Sequence, residues 1–313
     1  MKMKGKGLSV LVVSLLSVGL LGVNAPLVSA QEYGQDSVVE ISSQSDSSET
    51  EISSDTVESP MDSEYDSAKE AREAAVQAYN EEHPEEQVVN VEPKTANPLI
   101  QPRKIVGADN RIKANTSLSP FKQIGYLEMG FIEKGKMVWY GGTGTLVSGD
   151  TVLTAGHNVY DHGVKRWAEV VIFQPGMNNY AAPKAIASKK LYSMLGYTAK
   201  ADINFDIGIV KLASSAGSTG FLPYKVPPLN ASYDVLISGY PVDKPGSQWY
   251  HSGKAIVGNE KISYSVDTTG GQSGAPILNG NSIAGVHTRG LQGQANDGVR
   301  ITPTFYNWIT GIK

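Results

Sequence analysis

Short apolar runs separated by turn residues fill the last two thirds of this 313-residue chain. Runs of this length, bounded by Gly, Pro, Asn and Asp, are typical of β-strands, and many in succession predict an all-β sandwich or barrel. Only residues 303–312 in this part of the chain predict a helix. The β-like runs are QIGYLEMGFI (123–132), TVLTA (151–155), EVVIF (169–173), IGIVKL (207–212), DVLIS (234–238), SIAGVH (282–287) and GVRIT (298–302).

The amino terminus has a different pattern. Residues 8–23 form an apolar run behind three lysines, and small residues follow at 28–30. This order predicts a secretory signal peptide over residues 1–30 and an extracellular protein. An uncleaved membrane anchor is the alternative, but the run is shorter than the roughly 18–20 residues that a membrane span needs.

Between the signal peptide and the β-rich part lies an acidic segment. Residues 31–66 are rich in serine and acids, so they bury too little apolar surface to offset their ordering entropy, which predicts disorder. Residues 64–82 are good helix formers and predict one helix. Four prolines then interrupt the chain before Arg103. We therefore predict a largely disordered propeptide over residues 31–103 and a folded domain over residues 104–313.

Composition and charge exclude several classes of function. The absence of cysteine excludes a disulfide scaffold, a thiol nucleophile and a cysteine-ligated metal site. The net charge of −4 divides into +3 over residues 1–30, −14 over residues 31–103 and +7 over residues 104–313. The sequence contains no HExxH or paired-histidine motif. We expect no cofactor, no metal, no nucleic-acid partner and no stable membrane association.

Three motifs carry the residue types that nucleophilic catalysis requires. TAGH ends a strand at His157, DIGIVKL begins a buried strand at Asp206, and GGQSGAP places Ser273 in a glycine-rich turn. Each motif alone has a structural explanation, such as a turn or a buried histidine. Together, in this order, they predict that His157 removes the proton of Ser273 and that Asp206 orients the imidazole.

The residues around this predicted triad add two points. Glycines beside Ser273 allow the N–H groups of Gly271 and Ser273 to point at one spot, an oxyanion hole worth about 3–4 kcal/mol per donor. Asp202 competes with Asp206 for the role of the acid. We favour Asp206, because the buried strand follows it directly.

These motifs resemble the chymotrypsin-fold serine proteases of bacteria and, more narrowly, the glutamyl endopeptidases secreted by Gram-positive bacteria. The resemblance covers nearly all of residues 104–313. It implies two six-stranded antiparallel β-barrels, at about 104–216 and 217–313, with the triad between them and a helix at the carboxyl end. Further segments that carry it are IVGADNR (105–111), ISGYPVDKPGSQWYHSG (237–253), DTTGGQSGAP (267–276) and AGVHTRG (284–290).

The resemblance also implies a substrate and an activation step. It implies that the enzyme cleaves protein or peptide substrates after Glu, and less well after Asp. The Glu side chain would meet His287, Thr268 and the mature amino terminus near Lys104 or Ile105. An imidazole can favour a carboxylate as a cation or as an N–H donor, although His287 and Thr268 could also be plain buried strand residues. An activating protease that cuts near Arg103–Ile105 would then release the amine of a zymogen.

Other functions remain open at the level of sequence. An α/β-hydrolase is disfavoured, because its nucleophile lies in G-x-S-x-G and precedes its acid and base. A catalytically silent binding domain would not need to keep all three triad residues. A protease that cleaves a single host protein would differ from a general protease only in its loops, and the sequence of these loops does not reveal the substrate. We expect a monomer.

Overall fold

In the computed structural model, the described residues (64–91, 93, 105, 108–290 and 295–313) form two closed antiparallel β-barrels. The α-helices are α1 (Ala68–Glu82), α2 (Leu195–Lys200) and α3 (Pro303–Ile312). The strands in chain order are β1 (Glu64–Tyr65), β2 (Val89–Asn90), β3 (Ile112–Lys113), β4 (Ile124–Glu133), β5 (Lys136–Leu146), β6 (Thr151–Thr154), β7 (Tyr160–Asp161), β8 (Arg166–Trp167), β9 (Val170–Pro175), β10 (Ala185–Ser193), β11 (Gly208–Leu212), β12 (Ser232–Gly239), β13 (Trp249–Val257), β14 (Lys261–Tyr264), β15 (Pro276–Asn279), β16 (Ser282–Gly290) and β17 (Asn296–Arg300).

The first barrel, called barrel 1, closes in the order β10-β11-β6-β5-β4-β9, with β9 returning to β10. Side chains alternate across each strand, so every second residue points inward. Leu127, Met129 and Phe131 of β4 therefore meet Val171 and Phe173 of β9 in one buried core. This barrel supplies the rigid frame for the loops that follow β6 and precede β11.

The second barrel, called barrel 2, closes in the order β12-β15-β16-β17-β14-β13, with β12 pairing back to β13. Its core contains Val235, Ile237, Ile262 and Ile277, all nearly inaccessible to solvent. The short strand β3 adds to β13 outside the ring. The predicted pair of six-stranded barrels is therefore confirmed.

The helix at the carboxyl end is also confirmed, with the predicted bounds. The Thr302 side chain caps α3 by accepting the Phe305 N–H at 3.2 Å, and Pro303 occupies the first turn, where no N–H is needed. Phe305, Trp308 and Ile309 form the buried face of this helix. Among the described residues, no helix is long and apolar enough to cross a membrane.

The predicted propeptide helix is present as α1 and lies against barrel 1. It begins at Ala68, where Ser67 accepts the Glu70 N–H at 3.3 Å, and the residues before it form β1, which pairs with β10. Beyond the helix, β2 pairs in parallel with β5, which the sequence did not predict. The signal peptide, the serine-rich segment before residue 64 and Lys104 lie outside the described residues.

Candidate active site

The three predicted catalytic side chains come from three loops on two barrels. His157 lies in the short helical turn after β6, Asp206 lies just before β11, and Ser273 lies in the turn before β15. The antiparallel pairing of β6 with β11 sets Thr154 opposite Gly208, which brings the His157 and Asp206 loops together at one end of barrel 1. Barrel 2 brings Ser273 to the same place.

The side chains of Asp206, His157 and Ser273 form one hydrogen-bonded chain. His157 Nδ1 lies 2.9 Å from Asp206 Oδ2 and 3.1 Å from Oδ1, and His157 Nε2 lies 2.5 Å from Ser273 Oγ. The backbone N–H of His157 also donates to Asp206 Oδ1 at 2.9 Å. All three residues are buried. In this arrangement one imidazole contacts a carboxylate with one nitrogen and a hydroxyl with the other.

Asp202, the alternative acid, lies elsewhere. Its carboxylate accepts the Asn204 N–H at 2.9 Å and caps the short helical turn that precedes Asp206. Asp202 is thus a capping residue, and Asp206 is the carboxylate that contacts His157.

Arg289 is a further member of this cluster that sequence reasoning missed. It comes from β16 of barrel 2, and its Nη2 lies 3.4 Å from Asp206 Oδ2. Burial alone would raise the pKa of Asp206, but the charges of His157 and Arg289 and the hydrogen bonds from His157 outweigh it and hold this pKa below its ordinary value. Asp206 therefore stays ionised although it is buried. In the sequence, the only indication of this contact was the position of Arg289, two residues after the predicted site residue His287.

The turn around Ser273 requires glycine at two positions. Gly271 and Gly274 have φ angles of +86° and +85°. A Cβ atom on Gly271 would lie 2.4 Å from the Tyr240 carbonyl oxygen, and one on Gly274 would lie 2.1 Å from the Thr143 carbonyl oxygen. Both the backbone conformation and the lack of space therefore exclude a larger side chain.

Both barrels hold this turn in place. The Ser273 carbonyl accepts the Thr143 N–H at 2.8 Å and the Asn158 side-chain amide at 3.0 Å, both from barrel 1. On the other side, the Gly274 N–H donates to the His287 carbonyl at 2.8 Å. Asn158 follows His157 directly, so the loop that carries the imidazole also positions the backbone of Ser273.

The two predicted specificity residues are buried in barrel 2 beside this turn. The His287 backbone bonds to Gly274 and Ala275, and its Nδ1 lies 2.5 Å from the Tyr264 hydroxyl. Thr268 is fully buried and precedes the loop that leads to Ser273. Among the described residues, its hydroxyl has no hydrogen-bond partner. A buried donor without a partner is available to a ligand.

Residues near the predicted mature amino terminus are packed against the same loops. The Arg111 side chain is almost completely buried and donates to both oxygens of Asp109 and of Asp243 and to the Thr269 hydroxyl. Its hydrogen bonds hold the pKa of Asp109 well below its ordinary range and lower the pKa of Asp243. Arg111 thereby connects this segment to the loop after β12 and to the residue after Thr268.

Asp267 provides a second connection. This buried carboxylate accepts the Asn110 N–H at 3.1 Å, and His251 Nδ1 accepts the Asp267 N–H at 2.9 Å. His251 Nδ1 also lies 3.2 Å from the Asp267 carboxylate. Asp267 precedes Thr268, and its carboxylate accepts from the amino-terminal segment at Asn110. Ile105 is half-buried.

Comparisons with known proteins agree with this geometry. The family model described as Trypsin matches residues 132–311. A glutamyl endopeptidase from Bacillus licheniformis is 31% identical over 227 residues, which is 67% of this chain and 69% of that protein. A solved structure of a Glu endopeptidase in complex with MPD superposes with a TM-score of 0.61 at 29% identity and covers 66% of this chain and 98% of its own.

Another relative has a name that indicates a different mechanism. A Bacillus subtilis (strain 168) protein called extracellular metalloprotease is 35% identical over 226 residues, covering 67% of this chain and 70% of that protein. In the part of this chain that the structure describes, no group of three or more His, Cys, Asp or Glu side chains is placed to hold a metal ion.

Proposed function

Since the chain belongs to the trypsin family of serine proteases, and is a serine endopeptidase that acts on proteins or peptides, we propose that it cleaves after Glu and less well after Asp. We propose further that it is secreted as a zymogen and works through His157, Asp206 and Ser273. The observation that carries the catalytic assignment is the continuous hydrogen-bonded chain from Asp206 through His157 to Ser273 Oγ.

The proposed reaction has two steps. Ser273 Oγ attacks the scissile carbonyl carbon while His157 Nε2 takes its proton, and the resulting imidazolium then protonates the leaving amine as the peptide bond breaks. Water then attacks the acyl-enzyme ester while the same nitrogen takes a proton from it, and that proton passes to Ser273 Oγ as the ester bond breaks and the carboxylic acid product leaves. Asp206 accepts from Nδ1 throughout, which keeps the imidazole in the orientation that both steps need.

The negative charge that develops on the carbonyl oxygen needs donors, and we assign the backbone N–H groups of Gly271 and Ser273. The left-handed conformation at Gly271 and the bonds to Thr143 and Asn158 support this assignment, because they preset the turn before substrate arrives. Preset donors do not have to reorganise during the reaction, so their full effect is available in the transition state.

Glu specificity follows from polar groups in an otherwise apolar interior. A carboxylate loses much free energy on leaving water unless it is paired. If Tyr264 donates to His287 Nδ1, the ring proton resides on Nε2 and can be donated to a substrate carboxylate. The Thr268 hydroxyl is a second donor. Asp267 would repel a Glu side chain, but the N–H of Asn110 that its carboxylate accepts offsets part of that repulsion.

A new amino terminus near Lys104 or Ile105 would add a positive charge to this pocket, which is the proposed basis of latency. The burial of Arg111 and the bond from Asn110 to Asp267 support it, because they fix the residues just after the cut beside Thr268. A trypsin-like activator would cut after Arg103, and a thermolysin-like one would cut before Ile105.

The test of the catalytic assignment is labelling of the cleaved enzyme with a fluorophosphonate. We expect a single adduct on Ser273 and loss of labelling in His157→Ala. Ser273→Ala should abolish peptide hydrolysis, and replacement of Glu by Gln in a model peptide should lower kcat/KM by at least roughly 100-fold. A folded, cleaved enzyme that is not labelled would instead support a silent binding domain.

Latency has its own test. A chain expressed from residue 100, supplied with a synthetic peptide of residues 64–91 because these residues pack on barrel 1, keeps extra residues ahead of Lys104 and should be nearly inactive, because it has no amine at the pocket. Cleavage of that same preparation with trypsin or thermolysin should restore activity, which separates latency from misfolding. Full activity before cleavage would contradict the proposal.

A further inference from the structure

The outer face of barrel 1 is apolar where a solvated barrel would be polar. Successive residues of β5 and β9 point alternately to the core and outward, yet the outward residues are as buried as the inward ones. An antiparallel sheet that faces water normally alternates apolar with polar residues. This face therefore has to be covered. Its outward-facing buried residues are Ile132, Met137, Trp139, Val170, Ile172, Ala185 and Ala187.

Residues 64–91, called the pro-segment below, form that cover. Ala71, Ala75 and Tyr79 of α1 pack on the apolar face together with Val88. Alanines on this side of the helix allow its backbone to approach the sheet closely. On the far side of the helix Glu73 and Gln77 are exposed, so α1 has one face for the barrel and one for solvent.

Polar contacts fix the register of the pro-segment. Arg72 Nη1 lies 2.5 Å from Glu128 Oε2, and both side chains are mostly buried. The Trp139 indole N–H donates to the Asn90 side chain at 2.8 Å, and Lys184 pairs with Glu64 at 3.1 Å. Strands β1 and β2 extend the sheet through backbone hydrogen bonds with β10 and β5. These contacts bind a defined peptide and not merely an apolar surface.

Loss of this segment would be costly for barrel 1. It would expose Trp139, Met137 and Ile172 as one apolar patch, and it would leave the partly buried Glu128 without its cation. The pro-segment contacts β4, β5, β9 and β10, whereas the catalytic side chains come from the loops around β6, β11 and β15. Its presence on the barrel is therefore compatible with an open active site.

We propose that the pro-segment stays bound to the protease domain as a separate peptide after the activating cut. This inference rests on the proposed cut near Arg103–Ile105. The enzyme that acts on substrate is then a non-covalent complex of two pieces of one chain. Glu70 and Glu73 lie within α1, where backbone hydrogen bonds keep the chain out of the extended form that a protease cleft accepts. We expect self-cleavage to occur after that helix, at Glu85, Glu86 or Glu92.

The test uses the full chain with Ser273→Ala, which removes self-digestion, cut in trans by limited trypsin or thermolysin. Native size-exclusion chromatography followed by intact-mass spectrometry should find a peptide that contains residues 64–86 in about one-to-one ratio with the protease domain. Immediate separation of the two pieces would overturn the proposal. Because retention is measured without activity, an inactive wild-type enzyme would refute the proposed function and leave this inference standing.

Two variants of α1 give a matched comparison. Ala75→Glu places a charge against the apolar face, so the cut protein should release its peptide, and tryptophan emission should shift to the red as Trp139 meets water. Gln77→Glu introduces the same residue on the exposed side and should retain the peptide. Equal retention in both variants would contradict the assigned interface.

A second measurement covers the case in which Ala75→Glu fails to fold. The peptide is removed from the cut Ser273→Ala protein with mild urea, and a synthetic peptide of residues 64–91 is added back. Addition should restore the blue-shifted emission and raise Tm by roughly 5–10 °C. An unchanged Tm with the peptide in large excess would show that barrel 1 does not need its cover.

Discussion

At the scale of single residues, Arg289 joins the two barrels through the acid of the proposed triad. The side chain starts on barrel 2, and its guanidinium lies 3.4 Å from the Asp206 carboxylate of barrel 1. Asp206 thus has a cation on each side, His157 when protonated and Arg289 always. A buried carboxylate that is ionised at neutral pH requires such compensation.

Replacement of Arg289 by Gln should move acid unfolding to higher pH. The pKa of Asp206 is lowered in the fold, so this carboxylate stabilises the protein above its unfolded-state pKa, and that contribution is lost as pH falls through the folded value. Without Arg289 the folded pKa rises, and the loss therefore begins at a higher pH. Circular dichroism between pH 2 and 6, in the Ser273→Ala chain, measures the midpoint.

Two further variants make this result interpretable. Arg289→Lys keeps the positive charge, so its acid-unfolding midpoint should lie close to that of the chain with Arg289. Lys254→Gln removes an exposed lysine from a surface pair with Asp234 and should leave the midpoint unchanged. An Arg289→Gln midpoint equal to that of Lys254→Gln would show that Arg289 does not stabilise ionised Asp206.

At the scale of elements, the segment from Asp109 to Arg111 works as a cross-link between loops of barrel 2. Arg111 joins Asp243, in the loop after β12, to Thr269, in the loop before Ser273. The Val242 N–H donates to the Gly270 carbonyl at 2.8 Å, so the same two loops also meet through their backbones. Docking of the amino-terminal segment is thereby coupled to the turn that carries Ser273.

Arg111→Lys should weaken this coupling while it preserves the charge. A lysine ammonium cannot reproduce the planar fork that bonds Asp109, Asp243 and Thr269 at once. We expect kcat/KM to fall at least roughly tenfold and the free energy of unfolding to fall by about 2 kcal/mol. Steady-state kinetics and urea denaturation measure the two effects, with Arg166→Lys as the surface control. Unchanged kcat/KM would exclude a role of Arg111 in positioning the turn.

At the scale of the whole molecule, local patterns and the family resemblance predicted the architecture and the residues of the proposed triad. Strand-length apolar runs and their turn residues predicted an all-β sandwich or barrel, and the resemblance to bacterial serine proteases implied the two six-stranded barrels. The motifs around His157, Asp206 and Ser273 predicted residues that the fold brings together. The glycine-rich motif predicted a tight turn at Ser273, because the positive φ angles of residues 271 and 274 are a local backbone conformation that favours glycine.

Contacts between distant parts of the chain were not predictable in the same way. The pairing of Arg289 with Asp206 depends on how two barrels pack, and β1 and β2 are too short to give a periodic signal. One signal was present for the cover on barrel 1. Residues 170–173 and 137–140 are continuously apolar, which indicates strands buried on both faces and hence a missing neighbour, the helix α1.

The central claim is that this serine protease selects Glu through Thr268, His287 and a released amino terminus. The most direct measurement digests a mixed peptide library with cleaved enzyme, whose protease domain begins at Lys104 or Ile105 and keeps its bound pro-segment, and identifies by mass spectrometry the residue before each cut. We predict strong enrichment of Glu over all other residues, a weaker signal for Asp, and loss of the preference in His287→Ala and Thr268→Ala. Efficient cleavage after other residues, with Glu no better than Gln, would contradict the claim.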